Sequence, residues 1–189
     1  MNGKKKGLIL VLVFVLVLGG AYALYQTLGS GLQANQLATQ QPKEEDQGEA
    51  EKTKAPDFTV YDENGAAVQL ASYFGKPIVL NFWASWCGPC QHEMPDFQEK
   101  YDALGDQVQF LMINMTDGSR ETVAKASAFL AEEGYTFPVY YDTETDAAMT
   151  YGAYSLPTTF FIDADGYAVA QATGSINGET LQEGIDMIT

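Results

Sequence analysis

The chain has 189 residues, 46% of them hydrophobic and 12% aromatic, with a formal net charge of −15 at pH 7. That composition excludes a disordered polypeptide and suits a globular domain with additional segments. The charge is uneven: residues 1–25 carry +3, residues 26–55 carry −2 and residues 56–189 carry −16, so the last part repels phosphate and no nucleic-acid partner is expected.

Lys4, Lys5 and Lys6 precede nineteen uncharged residues, GLILVLVFVLVLGGAYALY, at positions 7–25. As a helix this run reaches about 28 Å, close to the hydrocarbon thickness of a bilayer. Lysines before it and none soon after predict a cytoplasmic N-terminus with the rest of the chain outside. Residues 1–25 therefore read as a retained signal anchor, a single transmembrane helix. The rival reading is a cleaved signal peptide, because Ala21-Tyr22-Ala23 fits a cleavage pattern that would release the chain near Ala23. Under both readings the folded part works where disulfides persist. Residues 26–55 are rich in Gln, Glu, Lys and Ala, have no large apolar residue after Leu37, and read as a flexible linker.

Pro56 is expected to open the folded domain, residues 56–189. FTVYDENGAAVQL (58–70) reads as a hairpin around Glu63-Asn64-Gly65. IVLNFWA (78–84) is a near-continuous apolar run, as in a strand buried on both faces. A helix is expected from the cysteine motif to about Leu104, then a strand over 108–114. Apolar positions 123, 126, 129 and 130 predict a helix over 121–134 that stops at Gly134. FPVYYD (137–142) reads as a strand, 142–152 as a short helix ending at Gly152, and Asp142–Asp146 as a solvated acidic face. Strands over 158–163 and 166–174 flank the turn Asp163-Ala164-Asp165-Gly166, and a helix closes the chain over 177–189. This alternation predicts an α/β fold around a mixed sheet.

The stretch ASWCGPCQHEMP, residues 84–95, holds both cysteines of the chain, Cys87 and Cys90. It falls where a buried strand ends and a helix begins. Pro89 suits the first turn of that helix, where no backbone N–H is needed. Cys87 then lies at the helix N-terminus, where unpaired amides and the positive end of the dipole favour its thiolate, the attacking species. Cys90, one turn on, is placed to resolve a mixed disulfide formed at Cys87. A purely structural disulfide is a weak alternative, since so small a ring constrains the unfolded chain little. Two cysteines and the single histidine, His92, do not make a zinc site, so no metal is expected. His92 falls on another helix face from Cys90 and reads as exposed and incidental. Trp83 fits the core, and Trp86 a flat apolar surface that helps dock substrate. Pro95, inside the helix, is expected to kink it near residue 91 or 92.

FWASWCGPC resembles the thioredoxin active-site stretch. Ser155-Leu156-Pro157-Thr158-Thr159-Phe160 resembles the cis-proline loop of the same superfamily, which implies a cis bond before Pro157 and a backbone at Leu156 that pairs with substrate. The resemblance puts Trp86, Gly88, Pro89, Leu156 and Pro157 at the substrate-binding surface. More narrowly, residues 56–189 resemble the TlpA/ResA-type membrane-anchored thiol–disulfide oxidoreductases. The features shared are the basic start and anchor, APDFTVYDENG, VLNFWASWCGPCQHEMP, an inserted strand–helix unit at 108–134, FPVYYD and LPTTFFIDADG. Thioredoxin itself has a buried acid six residues before its first cysteine; this chain has Asn81, which cannot accept the proton released when Cys90 attacks. The TlpA/ResA branch has a glutamate three residues after its second cysteine, and Glu93 stands there. One turn from Cys90, a partly buried Glu93 would have a raised pKa and could shuttle that proton.

The resemblance implies a thioredoxin-like fold with an N-terminal hairpin. The implied activity is that of an extracytoplasmic thiol–disulfide oxidoreductase tethered to the bacterial cell membrane, with no cofactor besides Cys87 and Cys90. It favours reduction of specific protein disulfides, with apocytochrome c among the family's substrates. A membrane thiol donor of the CcdA/DsbD kind is the implied partner. Three alternatives stay open: a disulfide-forming oxidase, a thioredoxin-fold peroxidase, and a binding module whose disulfide is permanent.

Overall fold

The computed structural model describes residues 37–39 and 53–189. The expected anchor and most of the expected linker lie outside the described residues. Among those described, no helix is long and apolar enough to cross a membrane.

The described elements, in chain order, are β1 (Ala38–Thr39), β2 (Thr59–Tyr61), β3 (Ala67–Gln69), a 3₁₀ turn (Leu70–Tyr73), β4 (Ile78–Trp83), α1 (Gly88–Leu104), β5 (Gln109–Asn114), α2 (Val123–Glu133), β6 (Val139–Tyr141), α3 (Asp146–Tyr151), β7 (Thr158–Ile162), β8 (Ala168–Thr173) and α4 (Gly178–Asp186). They form one mixed sheet in the order β1-β8-β7-β4-β5-β6-β2-β3. β4 lies at its centre, parallel to β5 and antiparallel to β7, and all six of its residues are buried. The apolar run 78–83 is what such a strand needs, with both faces covered.

Strand periodicity divides the core. Ile78, Leu80 and Phe82 pack with Leu111, Ile113, Phe160 and Ile162 on one face. Val79 and Trp83 pack on the other with Phe97, Phe110, Phe161 and Ile185. Asn81 shares the second face, since residues two apart point the same way, and it therefore looks toward α1.

Glycines end the elements where expected. Gly134 and Gly152 take left-handed conformations (φ 76° and 62°) after α2 and α3, the usual way to close a helix. Two helices start later than the sequence suggests. α2 begins at Val123 because Thr122 caps it, accepting from the Lys125 amide at 3.2 Å, while Glu121 turns into the core. α3 begins at Asp146 because Asp142 is buried and caps it from outside, accepting from the Ala147 and Ala148 amides at 3.3 and 2.8 Å. The expectation of a solvated face over Asp142–Asp146 thus fails at Asp142, whose carboxyl burial pushes above its ordinary pKa.

The stretch expected to be a linker touches the sheet in two places. Ala38 and Thr39 pair with Gln171 and Ala170 of β8, and Lys54 bridges to Tyr167. An edge strand needs only backbone groups from its partner, so apolar patterning gave no sign of it. α1 continues through Pro95 as one element.

Candidate active site

Strand β4 delivers the chain to a tight turn, in which the Cys87 amide donates to the Ala84 carbonyl at 3.1 Å. Cys87 is the N-cap of α1, and Gly88 and Pro89 open the helix. Proline is suited to this first turn because its missing N–H has no acceptor there. Cys87 and Cys90 are joined in a disulfide, with their Cα atoms 5.2 Å apart. The Cys90 amide donates to the Cys87 sulfur at 3.3 Å. After reduction the same donor, together with the helix dipole, favours a thiolate on Cys87. Both cysteines are largely covered, Cys90 completely.

One turn further, Glu93 is 1% exposed. Its Oε1 accepts from Asn81 Nδ2 at 2.8 Å, and its Oε2 accepts from the Ile176 amide at 3.0 Å. Burial raises its pKa from the ordinary 4.5 to about 8, against the opposing effect of those two hydrogen bonds. Loss of water costs the charged form more than two neutral donors return. Asn81 also donates to Thr159 Oγ1 at 3.0 Å. Its own Oδ1 is buried without a partner among the described residues. Sequence reasoning took Asn81 only as a missing acid; the structure makes it the direct partner of Glu93. The signal available was parity along β4, which puts residue 81 on the α1 face.

Across from the cysteines, the Leu156–Pro157 bond is cis, with Pro157 buried and Leu156 half-buried. Trp86, Cys87, Gly88, Pro89 and Leu156 line one groove of about 750 Å³. Cys90, Glu93 and Pro157 lie beneath the surface. His92 is exposed, as expected, and Trp83 is fully buried. Among the described residues, no group of three or more His, Cys, Asp or Glu side chains could hold a metal ion.

Another buried carboxylate near the cysteines escaped the sequence reading. Glu121 is 0% exposed. Its Oε1 accepts from the Ser85 amide (2.9 Å) and Asn114 Nδ2 (2.7 Å), and its Oε2 accepts from Ser85 Oγ (2.7 Å). The loop after β5 is thereby fastened to the residue just before Trp86-Cys87. Its neighbour Arg120 lies over the Trp86 ring, 3.4 Å from the centroid.

A sheet that presents a Cys-Gly-Pro-Cys disulfide at a helix N-terminus, facing a cis-proline, defines a thioredoxin-like thiol–disulfide oxidoreductase. The AhpC/TSA family matches residues 52–170, and the chain belongs to it. The thiol-disulfide oxidoreductase ResA of Bacillus anthracis is 34% identical over 187 residues, covering 98% of this chain and 99% of the relative. Among solved structures, StoA from Bacillus subtilis matches with a TM-score of 0.60 and 27% identity, over 69% of this chain and 96% of that one. The exposed lipoprotein thioredoxin of Streptococcus pneumoniae strain TIGR4 matches with a TM-score of 0.59 and 30% identity, over 69% and 98%.

Proposed function

We propose that the chain is a membrane-tethered, extracytoplasmic reductase of specific protein disulfides, working through Cys87 and Cys90 with Glu93 as proton carrier. The Cys87 thiolate attacks a substrate disulfide, forming a mixed disulfide and releasing one substrate thiolate, which takes a proton. Cys90 then loses its proton and attacks Cys87, releasing the second substrate thiol. The substrate gains two electrons and the pair is left as the disulfide seen here. A buried carboxylate one turn from Cys90 supports a route for that proton: ionised Glu93 takes it and passes it on.

The observation that carries this reading is the pairing of the disulfide with the buried Glu93. Trp86, Gly88, Pro89, Leu156 and Pro157 are proposed to seat the substrate chain across the groove. The Gly-Pro dipeptide supports reduction. In an oxidising compartment a reductant must be recharged, so a membrane thiol donor of the CcdA/DsbD kind is the proposed partner and apocytochrome c a proposed substrate. The tether rests on Lys4–Lys6 and the apolar run over 7–25; the pneumococcal relative's description as an exposed lipoprotein supports the same side of the membrane. The proposed domains are 1–25 as anchor, 26–55 as connection and 56–189 as thioredoxin-like domain.

The test is the reduction potential of the cysteine pair, by equilibration with dithiothreitol and thiol trapping. A value near that of thioredoxin, about −270 mV, is expected; one near about −120 mV would make the chain a disulfide donor. Steady consumption of hydrogen peroxide by the reduced chain would favour the peroxidase alternative instead. Fractionation checks the anchor: the full chain should pellet with membranes and come free only with detergent. A mature soluble protein starting near Leu24 would remove the tether.

A further inference from the structure

Arg120 is the only arginine of the chain. It lies on the wall of the cysteine groove, with its guanidinium 3.4 Å from the centroid of the Trp86 ring. Trp86 is 41% exposed and immediately precedes Cys87. No carboxylate among the described residues pairs with this guanidinium. The acid that shares the groove, Asp117, is turned to its own loop: its Oδ1 accepts from the Ser119 and Glu121 amides at 2.7 and 2.9 Å. A cation with no carboxylate partner among the described residues stands out in a domain whose net charge is −16.

The backbone that carries Arg120 is fixed on both sides. Glu121 is clamped to Ser85 by two hydrogen bonds, and Gly118 N–H donates to the Glu121 carbonyl at 2.9 Å. Lys125 Nζ donates to the Ser119 and Arg120 carbonyls at 3.0 and 2.9 Å. A guanidinium stacked on an indole keeps its N–H edge free and already oriented, and that edge matches a carboxylate with two parallel hydrogen bonds. Because stacking and loop are set beforehand, little side-chain freedom is lost when an anion arrives.

We infer that Arg120 is a specificity-determining residue: it receives an aspartate or glutamate side chain that flanks the reactive cysteine of the protein substrate. The inference rests on the thiol–disulfide exchange proposed above and names the substrate class of the same groove. The acidic surface of the domain would hold off acidic chains in general, so a single cation beside Cys87 selects those that place their charge near the cysteine.

The test uses the full chain with Cys90→Ser, so that the Cys87 mixed disulfide is trapped. Its substrates are short peptides whose one cysteine is activated as a 2-pyridyl disulfide. Cys87 thiolate attacks the peptide sulfur, a Cys87–peptide disulfide forms, and pyridine-2-thione leaves and is read by absorbance. A glutamate is moved through the three positions on each side of the cysteine, with glutamine and lysine controls. At one position or more, the glutamate peptide should react about fivefold faster than its glutamine counterpart, the size of an exposed ion pair. That preference should shrink in high salt, vanish in Arg120→Gln and survive in part in Arg120→Lys. Equal rates for glutamate and glutamine peptides at every position would overturn the inference. So would an Arg120→Gln effect equally large for uncharged 2,2′-dipyridyl disulfide, which would place Arg120 on the thiolate rather than on the substrate. This step is common to reduction and oxidation. A chain that keeps the charge preference but reduces no protein disulfide would retain the role of Arg120 and lose the reductase reading.

Discussion

Replacing Glu93 with glutamine should relieve the protein of a stability loss of about 5 kcal/mol that the parent chain incurs as pH rises from 4.5 to about 8. The folded-state pKa is raised, chiefly by burial, so the fold binds this proton more tightly than the unfolded chain does. Stability from this group is complete below pH 4.5 and is lost as pH climbs through about 8. Denaturant melts of the oxidised protein at pH 5 and 8.5 should show the parent weakening between them and Glu93→Gln weakening much less, the remainder coming from groups such as Asp142 that burial also pushes up. The variant should be the more stable at the higher pH, although one of its side-chain oxygens is gone and either Asn81 or Ile176 must find a new partner. The same substitution should change turnover. In the parent, resolution of the mixed disulfide should accelerate as pH rises through about 8 and the carboxylate fraction grows. Glu93→Gln should lose that rising limb and slow the step by about 100-fold, the lower range for a general base. A pH profile and a stability slope that both match the parent would remove Glu93 from the mechanism and from the buried charge balance alike.

The contrast between Glu93 and Glu121 shows what the sequence could disclose. Glu93 was found because it sits three residues from a cysteine in a motif with known relatives, so its neighbours on the helix followed from the 3.6-residue period. Glu121 is as deeply buried, yet in the sequence it stands among Thr116-Asp117-Gly118-Ser119-Arg120, a run that reads as an ordinary polar loop. Its donors, Ser85 and Asn114, come from two strands' ends, and nothing local encodes that meeting. The fold was legible for a related reason. Elements that depend on periodicity and punctuation, such as the apolar run of β4 and the glycines at 134, 152 and 166, announce themselves locally. β1 depends on the open edge of a strand more than 130 residues away and so left no trace.

Gly184→Ala should destabilise the domain by about 2 kcal/mol, with the opposite sign to helix propensity. In the interior of α4, alanine is worth about 1 kcal/mol over glycine. Here a Cβ would lie 2.2, 2.2 and 2.6 Å from three carbons of the Phe161 ring. Phe161 is itself 0% exposed, at the centre of the core face that α4 covers, so neither partner can withdraw without shifting a helix or a strand. Forcing extra atoms into such packing costs up to about 3 kcal/mol and sometimes more, which outweighs the gain. Thermal or urea melts of Gly184→Ala, Phe161→Leu and the double variant should show positive coupling, the smaller leucine giving back part of the loss. A Gly184→Ala protein more stable than the parent would mean that α4 does not rest on Phe161 as closely as described.

For the tether proposed over residues 1–55, the pairing of Ala38 and Thr39 with β8 would shorten the leash on the catalytic domain. Were the chain free until Pro56, the thirty-one steps from the end of the apolar run at Tyr25 could stretch to about 110 Å. Fastened at Ala38, the sheet leaves only thirteen steps of chain back to Tyr25, a contour length of about 45 Å. Under the proposed tether, which would put Tyr25 at the membrane surface, the volume open to the cysteines falls roughly as the cube of that length, to about a fifteenth. On that proposal, the reagent would work at a correspondingly higher local concentration toward partners embedded in the same bilayer. It would not reach those that keep their thiols far above that bilayer.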